Sequence, residues 1–179
     1  MSTAIVMDAE QMERAISRLA HEIVEKSGDL NDLVLLGIPT RGAFLALRLR
    51  EKIKEIKGFT VNVGAIDATM YRDDIGIKKE APMLKEMDIP VPIDGKVVVI
   101  VDDVLFTGRT IRAALNALMD FGRPLCVRLA VLVDRGHREL PIKADYVGKN
   151  IPTSMSQGVR VLIGETDGLN EVHLKEKQD

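Results

Sequence analysis

Apolar residues recur along this chain in two alternating rhythms. From Asp8 to Glu25, the residues Met12, Ile16, Leu19, Ala20 and Ile23 fall three and four apart. That spacing predicts an amphipathic helix, with Arg14, Arg18 and His21 on its opposite face. Leu33 to Leu36 is a short continuous apolar run ending in Gly37. Ala43 to Lys57 returns to helical spacing, and Gly58 closes it. Thr60 to Ile66 is strand-like, whereas Thr69 to Pro92 is polar, charged and broken by Pro82, Pro90 and Pro92. Val97 to Val101 is entirely β-branched and predicts a buried strand. A helix is expected from Thr110 to Phe121, stopped by Gly122 and Pro124. Val127 to Val133 predicts a further buried strand, and short strands are expected near Tyr146 and from Val159 to Ile163.

Continuous apolar strands separated by helices mark a parallel sheet covered on both faces, so the fold class is an α/β open sheet. Ligands of such sheets bind beyond the carboxyl ends of the strands. Two segments lie there: Gly37 to Gly42, and Asp102 to Thr110.

Composition acts mainly by exclusion. The 179 residues fit one domain, 1–179. Apolar runs of about five residues are far too short to span a bilayer. The N-terminus lacks a basic stretch followed by an apolar core, so a cytoplasmic address is expected. The single cysteine, Cys126, agrees, leaves no internal disulfide and reads as a small core residue. Lys and Arg number 25 against 27 Asp and Glu, which excludes a uniformly basic nucleic-acid binder but leaves room for a local patch. Aromatics are 3% of the chain, which argues against reading single strands by stacking. His21, His137 and His173 have no metal spacing.

The segment VVVIVDDVLFTGRT places two acids where a strand ends and Thr107-Gly108-Arg109-Thr110 where a helix begins. Gly108 permits close backbone approach, and unpaired N–H groups with the helix dipole favour an anion. The threonines add hydroxyl donors and Arg109 adds charge. The carboxylates would repel a phosphate, so they suit ribose hydroxyls or a ligand-bound Mg²⁺. Thr-Gly-Arg-Thr alone would be a helix cap. The acids and apolar strand before it favour a ribose-5-phosphate holder.

This segment resembles the PRPP-binding motif of type I phosphoribosyltransferases, here 98–110. HEIVEK, GIPTRG, YRDD and LAVLVDRGHRELPIKADYVGKNIPTS extend the resemblance to one branch of that family. Its members attenuate transcription of the pyrimidine operon and are also uracil phosphoribosyltransferases. The resemblance implies a central parallel sheet flanked by helices, with a small hood and a flexible lid loop at about 69–92. It implies that Asp102 and Asp103 bind the ribose hydroxyls, that Thr107, Gly108, Arg109 and Thr110 grip the 5′-phosphate, and that Val104, Leu105 and Phe106 also line the substrate site. Thr40 and Arg41 would meet pyrophosphate; Arg41 alone could equally be a solvent-facing cation. Tyr71 and Arg72 would work from the lid. Arg135 and Val159 would contact substrate, against a competing reading of a buried Asp134–Arg135 structural pair. Asp102, Asp103, Arg41 and Arg72 are the expected catalytic residues, with Mg²⁺ entering with PRPP. Phe106 stands where purine-using enzymes of this fold carry a carboxylate, which disfavours a purine, and where close relatives carry Tyr. Pro39 is a second departure.

The resemblance also implies binding to leader mRNA, strengthened by UMP as co-regulator. Its RNA-contact positions map onto Ser17, Arg18, His21, Arg138, Lys143 and Lys149; Lys143 replaces an Arg common among relatives. For the first three taken alone, a plain solvated helix face is the better reading. The basic segment GHRELPIKADYVGK and a homodimer that doubles both clusters favour RNA. A salvage enzyme without an RNA role is the alternative.

Overall fold

The computed structural model describes residues 3–67, 69 and 88–176. Its core is a parallel sheet of β2 (Leu33–Gly37), β3 (Asn62–Ala65), β4 (Val97–Leu105), β5 (Cys126–Asp134) and β6 (Tyr146–Asn150), in the order β3-β2-β4-β5-β6. The runs Leu33–Leu36, Val97–Val101 and Leu129–Val133 are apolar without alternation because both faces are covered. Leu33, Leu35, Val97 and Val99 turn toward α1 (Ala9–Ser27) and α2 (Arg41–Lys57). Val34, Leu36, Val98 and Ile100 turn toward α3 (Arg109–Met119). Val98, Val99 and Ile100 are 0% exposed, each contributing about 2 kcal/mol of apolar burial. Ala113, Ala114 and Ala117 are buried on the face that α3 turns to the sheet.

A second sheet is antiparallel, ordered β1-β8-β7, from β1 (Thr3–Met7), β7 (Gln157–Leu162) and β8 (Glu171–Glu176). A four-residue helix, α4 (Gly164–Asp167), joins its last two strands. This is the expected hood, but β1 and β8 were not anticipated. TAIVM and EVHLKE are short, half-exposed segments near opposite ends of the chain, and β8 pairs with β1 on one side and β7 on the other.

Several element boundaries also differ from expectation. β4 runs four residues past Val101 to Leu105, because β5 continues beside it and pairs Asp102 with Val131 and Leu105 with Asp134. The acids therefore sit within the strand rather than beyond it. α3 begins at Arg109 and ends at Met119, two residues before Phe121. α1 begins at Ala9 because Asp8 is its N-cap, accepting the N–H of Gln11 at 2.8 Å. Of the expected lid, Tyr71, Arg72 and most neighbours lie outside the described residues.

Candidate active site

The chain leaves β2 toward β3 on one side and leaves β4 toward β5 on the other. That reversal opens a crevice beyond the carboxyl ends of β2 and β4, the place where open α/β sheets bind ligands. Both loops singled out in the sequence start there. Gly37 pairs with Val101, and the Ile38 N–H donates to the Val101 carbonyl at 2.9 Å. The loop turns directly into α2 through a cis Pro39–Thr40 peptide. Gly42 has no room for a side chain: a Cβ there would lie 2.4 Å from the Val101 carbonyl oxygen.

Asp102 is 8% exposed, and its Oδ1 accepts the Asp103 N–H at 2.9 Å. Asp103 Oδ1 accepts the Val104 N–H at 2.8 Å. Each carboxylate is thereby oriented by the residue that follows it. Pro39, Asp67, Thr69, Asp102, Asp103 and Thr110 are among the residues lining a cavity of ≈ 230 Å³. Asp67 was not anticipated. It follows Ile66 just past β3, the third adjacent strand end, and its Oδ1 accepts the Thr69 N–H at 2.8 Å. Three carboxylates make this cavity hostile to bare phosphate and suited to hydroxyls or a metal-bound diphosphate. Among the described residues, no group of three or more His, Cys, Asp or Glu could itself hold a metal ion. One or two carboxylates assisted by substrate phosphates fit the usual manner of binding Mg²⁺.

A second cavity, of ≈ 250 Å³, is lined by Leu105 to Thr110 and Glu139. Gly108 caps α3 with φ 93°, a left-handed conformation that favours glycine. The Arg109 N–H meets Thr107 Oγ1 at 3.3 Å, and Arg109 Nε donates to Glu139 Oε2 at 2.8 Å. The loop is braced from behind. Arg135 N–H donates to Leu105 O at 3.1 Å, and the N–H groups of Glu139 and Leu140 donate to Thr107 O at 3.0 and 3.2 Å.

Arg135 is 5% exposed and stacks on Phe106, 4.0 Å from the ring centre. It donates to Thr153 Oγ1 at 3.2 Å and to Gln157 O at 2.8 Å. Burial lowers its pKa. The competing Asp134–Arg135 pair is not what forms: Asp134 takes Arg138 instead. Arg135, His137 and Thr153 line a third cavity, of ≈ 500 Å³. Val159 lies on β7, packed against the larger apolar cluster.

Arg41 turns its guanidinium onto Asp167 of α4, with Nη2 to Oδ1 at 2.8 Å. Thr40 is exposed at the start of α2.

The residues expected on RNA divide into two groups. Ser17, Arg18 and His21 share the outer face of α1, and Arg18 reaches β6 by donating to the carbonyls of Val147 and Gly148. Lys149 of β6 donates to Val6 O at 2.6 Å, and Lys143 is exposed. Arg138, by contrast, is turned inward. It donates to Phe106 O and Ile142 O, both at 2.9 Å, and to the Asp134 carboxylate.

Fold and crevice together define a type I phosphoribosyltransferase. The Phosphoribosyl transferase domain profile matches residues 2–162, and the chain belongs to that family. Solved structures agree on the fold. The hypoxanthine phosphoribosyltransferase of Trypanosoma cruzi superposes with TM-score 0.70 at 22% identity, covering 97% of each chain. That of Staphylococcus aureus gives 0.69 at 21% identity, covering 98% of this chain and 92% of its own.

Among curated relatives, the Bifunctional protein PyrR of Halalkalibacterium halodurans is 51% identical over 175 residues, 97% of each chain. Those of Chloroflexus aurantiacus and Bacillus velezensis are 54% identical over 167 residues and 52% over 177. The former alignment covers 93% of this chain and 92% of the relative; the latter covers 98% of each.

Proposed function

We propose that this chain is a UMP-responsive RNA-binding regulator of the pyrimidine biosynthesis operon that also converts uracil and PRPP to UMP and pyrophosphate. It is the bifunctional type that its relatives' shared name describes. The observation that carries the enzymatic half is the acid pair at the end of β4, followed at once by the Gly108-capped start of α3. Asp102 and Asp103 take the ribose hydroxyls. Thr107 to Thr110 take the 5′-phosphate, and the Gly37–Gly42 loop takes the pyrophosphate. Uracil lies toward Arg135 and Phe106. Phe106 offers no carboxylate to a purine nitrogen, which supports a pyrimidine base.

Breaking the bond between ribose C1 and pyrophosphate leaves a cationic sugar and a highly charged anion. Asp102 and Asp103 hold the sugar in place by its hydroxyls while uracil N1 attacks C1. Backbone donors and Arg41 steady the departing diphosphate; losing one such preorganised donor typically costs ~3 kcal/mol of barrier. Mg²⁺, carried in on PRPP and held with Asp102 or Asp103, supplies further charge neutralisation.

The regulatory half is supported by the α1 face and β6, which bring Ser17, Arg18 and His21 beside Lys149. This protein works in the cytoplasm as a homodimer that doubles this surface. Incubation with radiolabelled uracil and PRPP yields labelled UMP if the enzymatic half holds. Gel shifts with leader mRNA tighten on adding UMP if the regulatory half holds. No shift leaves only a salvage enzyme, and a shift indifferent to UMP removes UMP as co-regulator.

A further inference from the structure

Arg41 and Arg48 are seven residues apart on α2, so they share one face two turns apart. Both reach across to the short segment joining β7 and β8. Arg48 donates from Nε to Glu165 Oε1 at 2.8 Å and from Nη2 to Asn170 Oδ1 at 2.7 Å. Arg41 donates from Nε to Asp167 Oδ2 at 3.2 Å and from Nη2 to Asp167 Oδ1 at 2.8 Å. The Asp167 side chain is 12% exposed, and the Arg41 side chain is 29% exposed.

Asp167 is itself immobilised. Its Oδ2 accepts the Ile163 N–H at 3.0 Å and the Thr166 hydroxyl at 2.8 Å. Arg160 lies 3.9 Å from Oδ1, outside hydrogen-bond reach. The pair thus has a rigid acceptor on one side and a forked donor on the other. A guanidinium carries five N–H donors in one plane. When a carboxylate takes two along one edge, the direction of the others is set.

We propose that Asp167, a residue of the hood, is a positioning residue for Arg41, fixing the guanidinium beside the diphosphate loop so that its remaining N–H groups are set for the anion. The inference rests on the reading that the Gly37–Gly42 loop receives pyrophosphate. Asp167 touches no substrate; it acts through Arg41. The molecule supplies its own control, because Glu165 clasps Arg48 on the same face without touching the loop.

Steady-state kinetics of UMP synthesis, with PRPP and uracil varied separately, tests this. Asp167→Asn raises the KM for PRPP roughly tenfold, with the uracil KM unmoved, as expected when binding common to ground and transition states is lost. Asp167→Glu keeps the charge and gives an intermediate value. Glu165→Gln lowers thermal stability as Asp167→Asn does but leaves the PRPP KM unchanged. In an Arg41→Ala background, Asp167→Asn adds nothing further. A wild-type PRPP KM in Asp167→Asn, an equal rise in Glu165→Gln, or an undiminished effect without Arg41 overturns the proposal. A wild-type PRPP KM in Arg41→Ala overturns the reading of the loop itself.

Discussion

The two loops that meet at the crevice are held by different means. The Gly37–Gly42 loop is fixed sterically where it leaves β2, by glycine-close contact between α2 and β4. Its charged end is fixed from far along the chain, by Asp167. The Leu105–Thr110 loop is fixed by main-chain and guanidinium donors from the segment just after β5. One loop therefore fails when packing is disturbed, and the other when a neighbouring loop is loosened.

The steric support predicts the largest effect. Gly42→Ala places a methyl group 2.4 Å from the Val101 carbonyl oxygen, against backbone that has no rotamer with which to yield. A loss of about 3 kcal/mol of stability is expected, seen as a lowered urea midpoint. A midpoint equal to wild type would mean that α2 can slide, and the contrast between the loops would disappear.

Asp103→Asn leaves both loops in place, because Oδ1 can still accept from Val104, and removes a charge from the proposed ribose subsite. A fall on the order of 100-fold in kcat/KM is expected, with unchanged thermal stability. Wild-type turnover would break the assignment of this cavity.

The brace of the second loop predicts a smaller, double effect. Arg138 ties Phe106 O, Ile142 O and the Asp134 carboxylate into one unit. Arg138→Ala weakens UMP binding by about tenfold, as expected for losing charge-assisted bonds, and weakens RNA binding with it. Isothermal titration with UMP in the absence of RNA separates the two effects. Intact UMP affinity with lost RNA affinity would return Arg138 to a purely surface role.

The contrast also explains what could be read from the sequence. VVVIVDDVLFTGRT was legible because strand, acids, glycine and helix start are contiguous, and each acts locally. The core strands were legible because burial on both faces leaves unbroken apolar runs. The hood strands β1 and β8 were not, since TAIVM and EVHLKE acquire their meaning from pairing at opposite ends of the chain. Asp67, Glu139 and Asp167 were missed for the same reason. Each is an ordinary acid in sequence, brought to the crevice or its supports by the order of the strands. Arg138 was expected on RNA, and its acceptors Asp134, Gly136, Ile142 and Phe106 converge on it only once the loop after β5 folds back against the end of β4.

Acid titration sharpens the account of the first loop. The Arg41 guanidinium, with the Ile163 N–H and Thr166 hydroxyl, holds the Asp167 carboxyl well below the ordinary carboxylate range. A carboxylate lowered on folding contributes stability that is present above its unfolded pKa, about 3.9. That contribution drains away as pH falls through that value toward the folded one. Thermal melts of wild type and Asp167→Asn should therefore begin to converge only below about pH 4 and draw closer as the pH falls further. Parallel curves would show that folding does not lower the Asp167 pKa.

The smallest effect belongs to the outer face, where Arg18 is half exposed and shared among Glu22, Val147 and Gly148. Its contacts with its own protein are cheap to exchange, since a surface ion pair contributes about 0–1 kcal/mol. Arg18→Ala should weaken RNA binding only a few-fold at moderate salt. It should also reduce the salt dependence by about one counterion. Because Arg138 is enclosed, its loss should shift affinity at every salt concentration without changing that slope. Binding isotherms for both variants at several salt concentrations therefore divide the basic residues into those that meet phosphate and those that shape the loops beneath. Equal slopes for Arg18→Ala and wild type would remove the α1 face from the interface.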